Sequence, residues 1–312
     1  MNNELFRGRD LLALDDFSPE ELVHLVGVAE AQKRMWNTGL RKAPLPGKSV
    51  AVILQKPSLR TRVSFEMACV QLGAHCVVMS GPDGAFSRGE TVHDTAKVLE
   101  RYVDAIVIRT YAQSVVEELA AHASVPVINA LTDDHHPCQG LADLLTIQER
   151  FGRLSGLRFA YVGDGNNMAN TYLLAGALAG MDVAIACPAG YEPSADVVGR
   201  ASAIAERTSA RVHVGDDASA AVAGANVVVT DTWASMGQEF EHEERLAAFQ
   251  PYRVDEALFA MAAPDAVFLH CLPAHRGEEV TDGVIDHPRS LVFDEAENRL
   301  HAQKALLSLV LG

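Results

Sequence analysis

Two arginines, a serine and a threonine lie together in Ser58-Leu59-Arg60-Thr61-Arg62. Before them runs Ser49-Val50-Ala51-Val52-Ile53-Leu54, an apolar stretch that reads as a buried strand; residues 63–73 after them read as a helix ending at a glycine. The first turn of a helix offers unpaired N–H groups and the positive end of the dipole. Hydroxyls and guanidinium forks added there make a site for a phosphate or a similar oxyanion. A capped helix with two solvated arginines is the plainer reading of this segment alone. The anion site gains weight from Arg109, which a second strand over 105–108 delivers at its end, since converging guanidinium forks suit a dianion.

Further polar clusters follow strands downstream. In His136-Pro137-Cys138-Gln139 the proline biases His136 toward extended backbone, so that it projects from a strand end. A histidine and a glutamine together can donate to a carbonyl oxygen, as in an oxyanion hole. Asp133, Asp134, His135, His136 and Cys138 also resemble metal ligands, but a closed zinc site needs a second spaced pair. Gly163-Asp164-Gly165-Asn166-Asn167 hints at a dinucleotide fingerprint; Met168 stands at the third glycine position, and Cys187-Pro188 where the ribose-binding acid belongs. Asparagines at a helix start suit a small polar ligand or simple capping. Asp231-Thr232-Trp233-Ala234-Ser235-Met236-Gly237 offers an aspartate for an ammonium group and Ser235 for a carboxylate, and reads equally as a capped turn. In His270-Cys271-Leu272-Pro273, a cysteine among cations would have a lowered pKa, whereas a buried one is inert packing. Arg299, in the last helix, either reaches the same cleft or lies on the surface.

Apolar strands alternating with helices must position these clusters. Strands are expected at 76–79, 125–129, 158–162, 183–186, 212–214, 227–230 and 266–269, besides those already named. Helices are expected at 18–36, 91–102, 141–151 and 168–179, the first with a capping pattern at Ser18. This rhythm indicates parallel sheets covered on both faces, with ligands at the carboxyl ends of the strands. At 312 residues the chain exceeds one typical core. The expectation is an α/β protein of two domains, each a parallel sheet flanked by helices, with the active site in the cleft between them. Residues 80–90 form a glycine-rich loop, and no internal repeat is evident.

The 26 Lys and Arg against 41 Asp and Glu leave a net charge of −15, which argues against general binding of nucleic acid or a membrane surface. No apolar run reaches membrane-spanning length, and the first residues lack the pattern of a signal peptide. Five widely spaced cysteines suit a reducing compartment, so a cytoplasmic location is expected.

Taken in order, these motifs resemble the aspartate/ornithine carbamoyltransferase family, and specifically its ornithine branch. The likeness rests on Ser58 to Arg62, His136 to Gln139, Asp231 to Gly237 and His270 to Pro273. It implies transfer of a carbamoyl group from carbamoyl phosphate to the δ-amine of L-ornithine, giving L-citrulline and phosphate, with no metal or organic cofactor. It implies a carbamoyl phosphate-binding domain of residues 1–142 plus 294–312, and an ornithine-binding domain of residues 143–293. Ser58, Arg60 and Thr61 would grip the phosphate, with Leu59 contributing its backbone. Arg60, Arg109, His136 and Gln139 would polarise the carbamoyl group. Asn167, Asp231, Ser235 and Met236 would hold ornithine's α-groups, and Cys271, Leu272 and Arg299 would line the reacting centre. A homotrimer, or a multiple of trimers, is implied as well. Two positions depart from the family pattern. Leu59 replaces a threonine, and Ala85 replaces a glutamine that reaches into a neighbouring subunit, with Ser87 or Arg88 as possible compensation. Another amine, such as putrescine, aspartate or an acylated ornithine, is the alternative acceptor.

Overall fold

β1 (Ser49–Leu54) is buried from Val50 to Leu54. A strand with no solvent face needs neighbours at both edges and cover on both faces. In the computed structural model, which describes residues 3–81, 86, 89–234 and 242–312, β1 has both. It pairs in parallel with β2 (His75–Ser80) and β3 (Ala105–Arg109), and β4 (Val127–Leu131) completes a sheet of order β2-β1-β3-β4. Helices α1 (Pro19–Asn37), α2 (Leu59–Leu72), α3 (Val92–Leu99), α4 (Gln113–His122) and α5 (Pro137–Phe151) accompany it. Ile53, Ile106, Ile108 and Val127 of the strands pack with Ala96 of α3 and with Val116 and Leu119 of α4. Each such burial is worth roughly 1.5–3 kcal/mol for a Val, Leu or Ile side chain.

The second sheet is also parallel. Its strands are β5 (Arg158–Val162), β6 (Asp182–Ala186), β7 (Val212–Gly215), β8 (Val227–Val229) and β9 (Val267–Leu269), in the order β7-β6-β5-β8-β9. The helices are α6 (Asn167–Ala179), α7 (Ala195–Thr208), α8 (Ala218–Val222), α9 (His242–Phe249), α10 (Glu256–Phe259), α11 (Asp282–Ile285) and α12 (Val292–Leu311). The chain divides into two compact units, one of Met1–Leu145 with Glu297–Gly312 and one of Thr146–Ala296. It passes from one to the other within α5 and again within α12. The fold is therefore α/β, with two parallel sheets flanked by helices, as expected. Ala85, Ser87, Arg88, Ser235, Met236 and Gly237 lie outside the described residues.

Several boundaries differ from the sequence reading: α3 ends at Leu99 rather than at residue 102, and the starts of α2, α5 and β4 shift for local reasons. α2 begins at Leu59 rather than at residue 63, because Ser58 takes extended backbone and its hydroxyl accepts the Thr61 N–H at 3.2 Å. Both arginines are thus helical. α5 begins at Pro137, a residue suited to a first helical position since it has no N–H to lose. β4 starts two residues late because Pro126 cannot donate to the ladder; it then runs on to Leu131. Its register against β3 slips between Ile108 and Arg109, so that Arg109 pairs with Leu131 and Ala130 is the extra residue. Such a bulge re-aims the side chain beside it.

Candidate active site

In the first sheet β1 and β3 are neighbours, and the chain proceeds outward from them in opposite directions. Such a reversal leaves a crevice at the carboxyl ends of the two strands, because the helices that follow them diverge. α2 starts just past β1, and Arg109 is the last residue of β3. Within the first turn of α2, Thr61 is fully buried, Arg60 half-buried and Leu59 exposed. Arg62 turns outward to pair with Glu66 at 3.1 Å, so only the first of the two arginines belongs to the site. Arg299 arrives from α12, 238 residues further on, and donates from Nη2 to Thr61 Oγ1 at 3.4 Å. Its Nη1 donates to Gln139 Oε1 at 2.8 Å. The Gln139 amide then donates to the buried Asp143 carboxylate, one helical turn on, at 2.8 Å.

His136 is buried among these groups. Desolvation, then the charges of Arg299, Arg109 and Arg60, hold its pKa well below the usual histidine range. The imidazole is therefore neutral at physiological pH. Three guanidinium groups around a neutral imidazole form a preorganised positive field, suited to holding an anion and polarising a carbonyl oxygen. The other residues of this stretch serve the frame. Thr132 N–H donates to the His135 carbonyl at 2.8 Å, closing the turn that presents His136. Asp133 pairs with Lys56. Cys138 faces the Asn129 carbonyl, and burial pushes its pKa up to about 12, which makes it inert packing.

The second sheet reverses between β5 and β8. After β5 the Asn166 side chain caps α6, accepting from the Met168 and Ala169 N–H groups at 2.9 and 3.2 Å. Its amide donates to Asp231 Oδ2, after β8, at 3.0 Å. Asp231 Oδ1 accepts from its neighbour Thr232 N–H at 2.8 Å and from the Cys271 thiol, after β9, at 3.1 Å. One carboxylate thus gathers the ends of three strands. Cys271 acts as a thiol donor to an acid, where the sequence suggests a cysteine among cations. Asn167, the first residue of α6, is half-buried. Leu272 is held by its N–H, which donates to His270 Nδ1 at 2.9 Å, and this makes Nε2 the protonated nitrogen facing Glu279 Oε1 at 3.1 Å. The His270 N–H is taken by Glu295 at 2.8 Å.

The glycines after β5 have a structural reason. A Cβ on Gly165 would sit 2.3 Å from the Tyr191 carbonyl oxygen and the Glu192 carbonyl carbon, so the loop lies flat against the chain at 191–193. The close approach that suggests a dinucleotide fingerprint is an approach to protein backbone. Among the described residues, two groups bring three metal-donor atoms within 4.8 Å of one another: Asp231, His270 and Cys271, and His275, Glu278 and Glu279. In the first, both ring nitrogens of His270 are already engaged, by Leu272 and Glu279.

Comparison with known proteins decides the family. Residues 9–149 match the carbamoyl-P binding domain of aspartate/ornithine carbamoyltransferase, and residues 155–310 match its Asp/Orn binding domain. The chain belongs to the aspartate/ornithine carbamoyltransferase family. It is 56% identical to an ornithine carbamoyltransferase of Anoxybacillus flavithermus over 96% of each chain. It is 52% identical to one of Pyrococcus abyssi over 98% of this chain and 96% of that one. The solved ornithine carbamoyltransferase of Pyrococcus furiosus superposes with a TM-score of 0.96 at 51% identity, covering 98% of both chains.

The structure gathers Ser58, Thr61, Arg60, Arg109, His136, Gln139 and Arg299 in the first unit, and Asp231, Cys271 and Leu272 in the second. Sequence reasoning assigned no role to Asp143, Lys56, Arg245 or Glu279. Asp143 stands four residues after Gln139, a spacing that pairs side chains on a helix. Arg245 donates to Asp164 at 2.8 Å and to the Trp233 carbonyl at 2.9 Å, with nothing in its local sequence to announce either contact.

Proposed function

We propose that this chain transfers the carbamoyl group of carbamoyl phosphate to the δ-amino group of L-ornithine, giving L-citrulline and phosphate. The observation that carries the reading is the set of three guanidinium groups around a neutral, buried His136. Attack of an uncharged amine on a carbonyl carbon builds charge on the oxygen and expels phosphate. Such a reaction needs positioning and cationic stabilisation rather than a nucleophilic side chain. Ser58, Thr61 and Arg60 hold the phosphate, assisted by the backbone of Leu59. Arg109, His136, Gln139 and Arg299 face the carbamoyl group, and a neutral His136 donates a hydrogen bond to its oxygen. The leaving phosphate takes the amine proton.

The unit of Thr146–Ala296 selects the acceptor. Asp231 is an acid suited to the α-ammonium of an amino acid, joined there by Asn167, Ser235 and Met236, with Cys271 and Leu272 beside the reacting amine. Ornithine is preferred to putrescine because putrescine offers no carboxylate. The full-length likeness to ornithine carbamoyltransferases supports the same choice.

The working protein is a trimer or a multiple of trimers in the cytoplasm. α2 supports assembly, since Leu59, Val63, Met67 and Val70 form an exposed apolar stripe, continued by Val77 on edge strand β2. For the compartment, no helix of the described residues is long and apolar enough to cross a membrane, and none of the five cysteines is in a disulfide.

The test is citrulline formation by purified protein from carbamoyl phosphate, with ornithine, putrescine, aspartate and N-acetylornithine offered in parallel. Carbamoylation of ornithine alone is the expected result. A different preferred acceptor overturns the reading of Asp231 and its loop, and no product from any of them overturns the activity.

A further inference from the structure

We propose that Lys56 is a positioning residue that ties three strand-end loops of the first unit together and so sets the mutual placement of Arg60, Arg109 and His136. The inference rests on the anion-binding reading of that site. Lys56 lies two residues beyond β1 and four before Arg60, ahead of Pro57, which restricts it to extended backbone. Its ammonium pairs with Asp133, beyond β4 and three residues before His136. The same ammonium lies 4.2 Å from the ring centroid of Tyr111, two residues beyond Arg109. One side chain thus touches the loop that follows each of three strands.

Backbone bonds join the same loops in sequence. Gln55 N–H donates to the Arg109 carbonyl at 2.9 Å, Thr110 N–H to the Leu131 carbonyl at 3.0 Å, and Asp133 N–H to the Tyr111 carbonyl at 2.8 Å. Lys56 closes the set from the side-chain direction. Its own side chain is 6% exposed while that of Asp133 is 60% exposed. The ammonium has been withdrawn from water and the carboxylate has not, so losing the partner would leave a buried charge uncompensated, which is costly. A lysine neutralised by an acid also adds little net attraction for a phosphate. That separates holding the frame from gripping the anion, and the two roles predict opposite results at Asp133.

Lys56→Met, Asp133→Asn, the double variant, Tyr111→Leu and Lys56→Arg would be compared with the intact chain. The readouts are calorimetric affinity for inorganic phosphate, the KM for carbamoyl phosphate against kcat, and amide hydrogen exchange over residues 109–111 and 132–136. For a positioning role, Lys56→Met and Asp133→Asn each weaken phosphate binding about tenfold, and the double variant is no weaker than either, as for two residues acting through one contact. Exchange rises in both loops, and Lys56→Arg, which keeps the charge and can stack on Tyr111, restores most of both effects. Tighter or unchanged phosphate binding in Asp133→Asn overturns the proposal in favour of Lys56 as a direct anion ligand. Unchanged exchange in Lys56→Met overturns it too. Should Lys56→Met fail to fold, Asp133→Asn and Tyr111→Leu carry the same comparison from exposed side chains. If the exchange result holds while the intact protein forms no citrulline, the tie stands and the proposed activity fails.

Discussion

His136 is a histidine whose charge state is set by its neighbours. Because burial and three arginines depress its pKa from the ordinary 6.5, the unfolded chain takes up a proton on acidification before the folded site does. Proton uptake by the unfolded state lowers stability, so folding free energy falls as pH drops below 6.5, until the folded site itself protonates. The slope from this one group is at most about 1.4 kcal/mol per pH unit. Urea unfolding of wild type and His136→Gln between pH 5 and 8 should show a shallower decline for the variant below pH 6.5. Equal slopes would remove His136 from the account. Arg299 makes a second case. Its fork reaches Gln139 and Thr61 at once, and an ammonium cannot reproduce that geometry. Arg299→Lys should lower turnover about 100-fold, in the range found for loss of one donor to a developing oxyanion. Steady-state kinetics with both substrates measure it, and a loss under threefold would mean that charge alone suffices.

The strand-turn-helix elements bring these side chains to the crevices, and their tolerances are narrow. Gly165→Ala places a Cβ 2.3 Å from backbone at Tyr191 and Glu192, where no flexible side chain can yield. The loop must lift, and Asn166 with it, so the amide's bond to Asp231 is lost. We expect a destabilisation of about 1–3 kcal/mol, the usual cost of overpacking, and a raised KM for ornithine with carbamoyl phosphate affinity near wild type. Equal loss for both substrates would mean that the damage is global. The same loop shows what sequence carries and what it does not. Alternation of apolar strands and helices is legible because burial on both faces demands it, as in β1 and β5. Glycine spacing is ambiguous, since a close approach to a pyrophosphate and one to a neighbouring loop ask for the same missing Cβ. The late start of β4 was legible in principle from Pro126, but the bulge that follows depends on pairing with β3, which no local pattern encodes.

For the molecule as a whole, the reacting amine of ornithine is protonated at neutral pH, as any alkylamine with a pKa near 10 is. Below saturating ornithine the rate should therefore rise steadily from pH 6 to 9. His136, already neutral, contributes no opposing limb over that range. A flat profile would contradict attack by the free amine. Assembly is a second property at this scale. The stripe on α2 leaves Leu59 76% exposed and Val70 64% exposed, a large apolar surface for a chain alone in water. On the trimeric reading proposed above, Met67→Glu with Val70→Glu should lower the mass seen by light scattering toward that of a single chain, with the circular dichroism of the fold retained. An unchanged mass would place the interface elsewhere. Ser58, His136, Asp231 and His270 were legible because each follows a strand with its chemistry exposed in the sequence. Lys56, Asp143 and Arg245 were not, since each acts through a partner brought close only by the fold.

The gathering of side chains at the carboxyl end of each sheet has an evolutionary consequence. The loops after β1, β3 and β4 and the loops after β5, β8 and β9 belong to units with separate cores. Selection for a new recipient amine can act on the second set without disturbing the first, so handling of the donor can be inherited intact while the recipient changes. Turns at the amino ends of the strands carry none of these side chains, and drift there can accumulate unseen by the reaction.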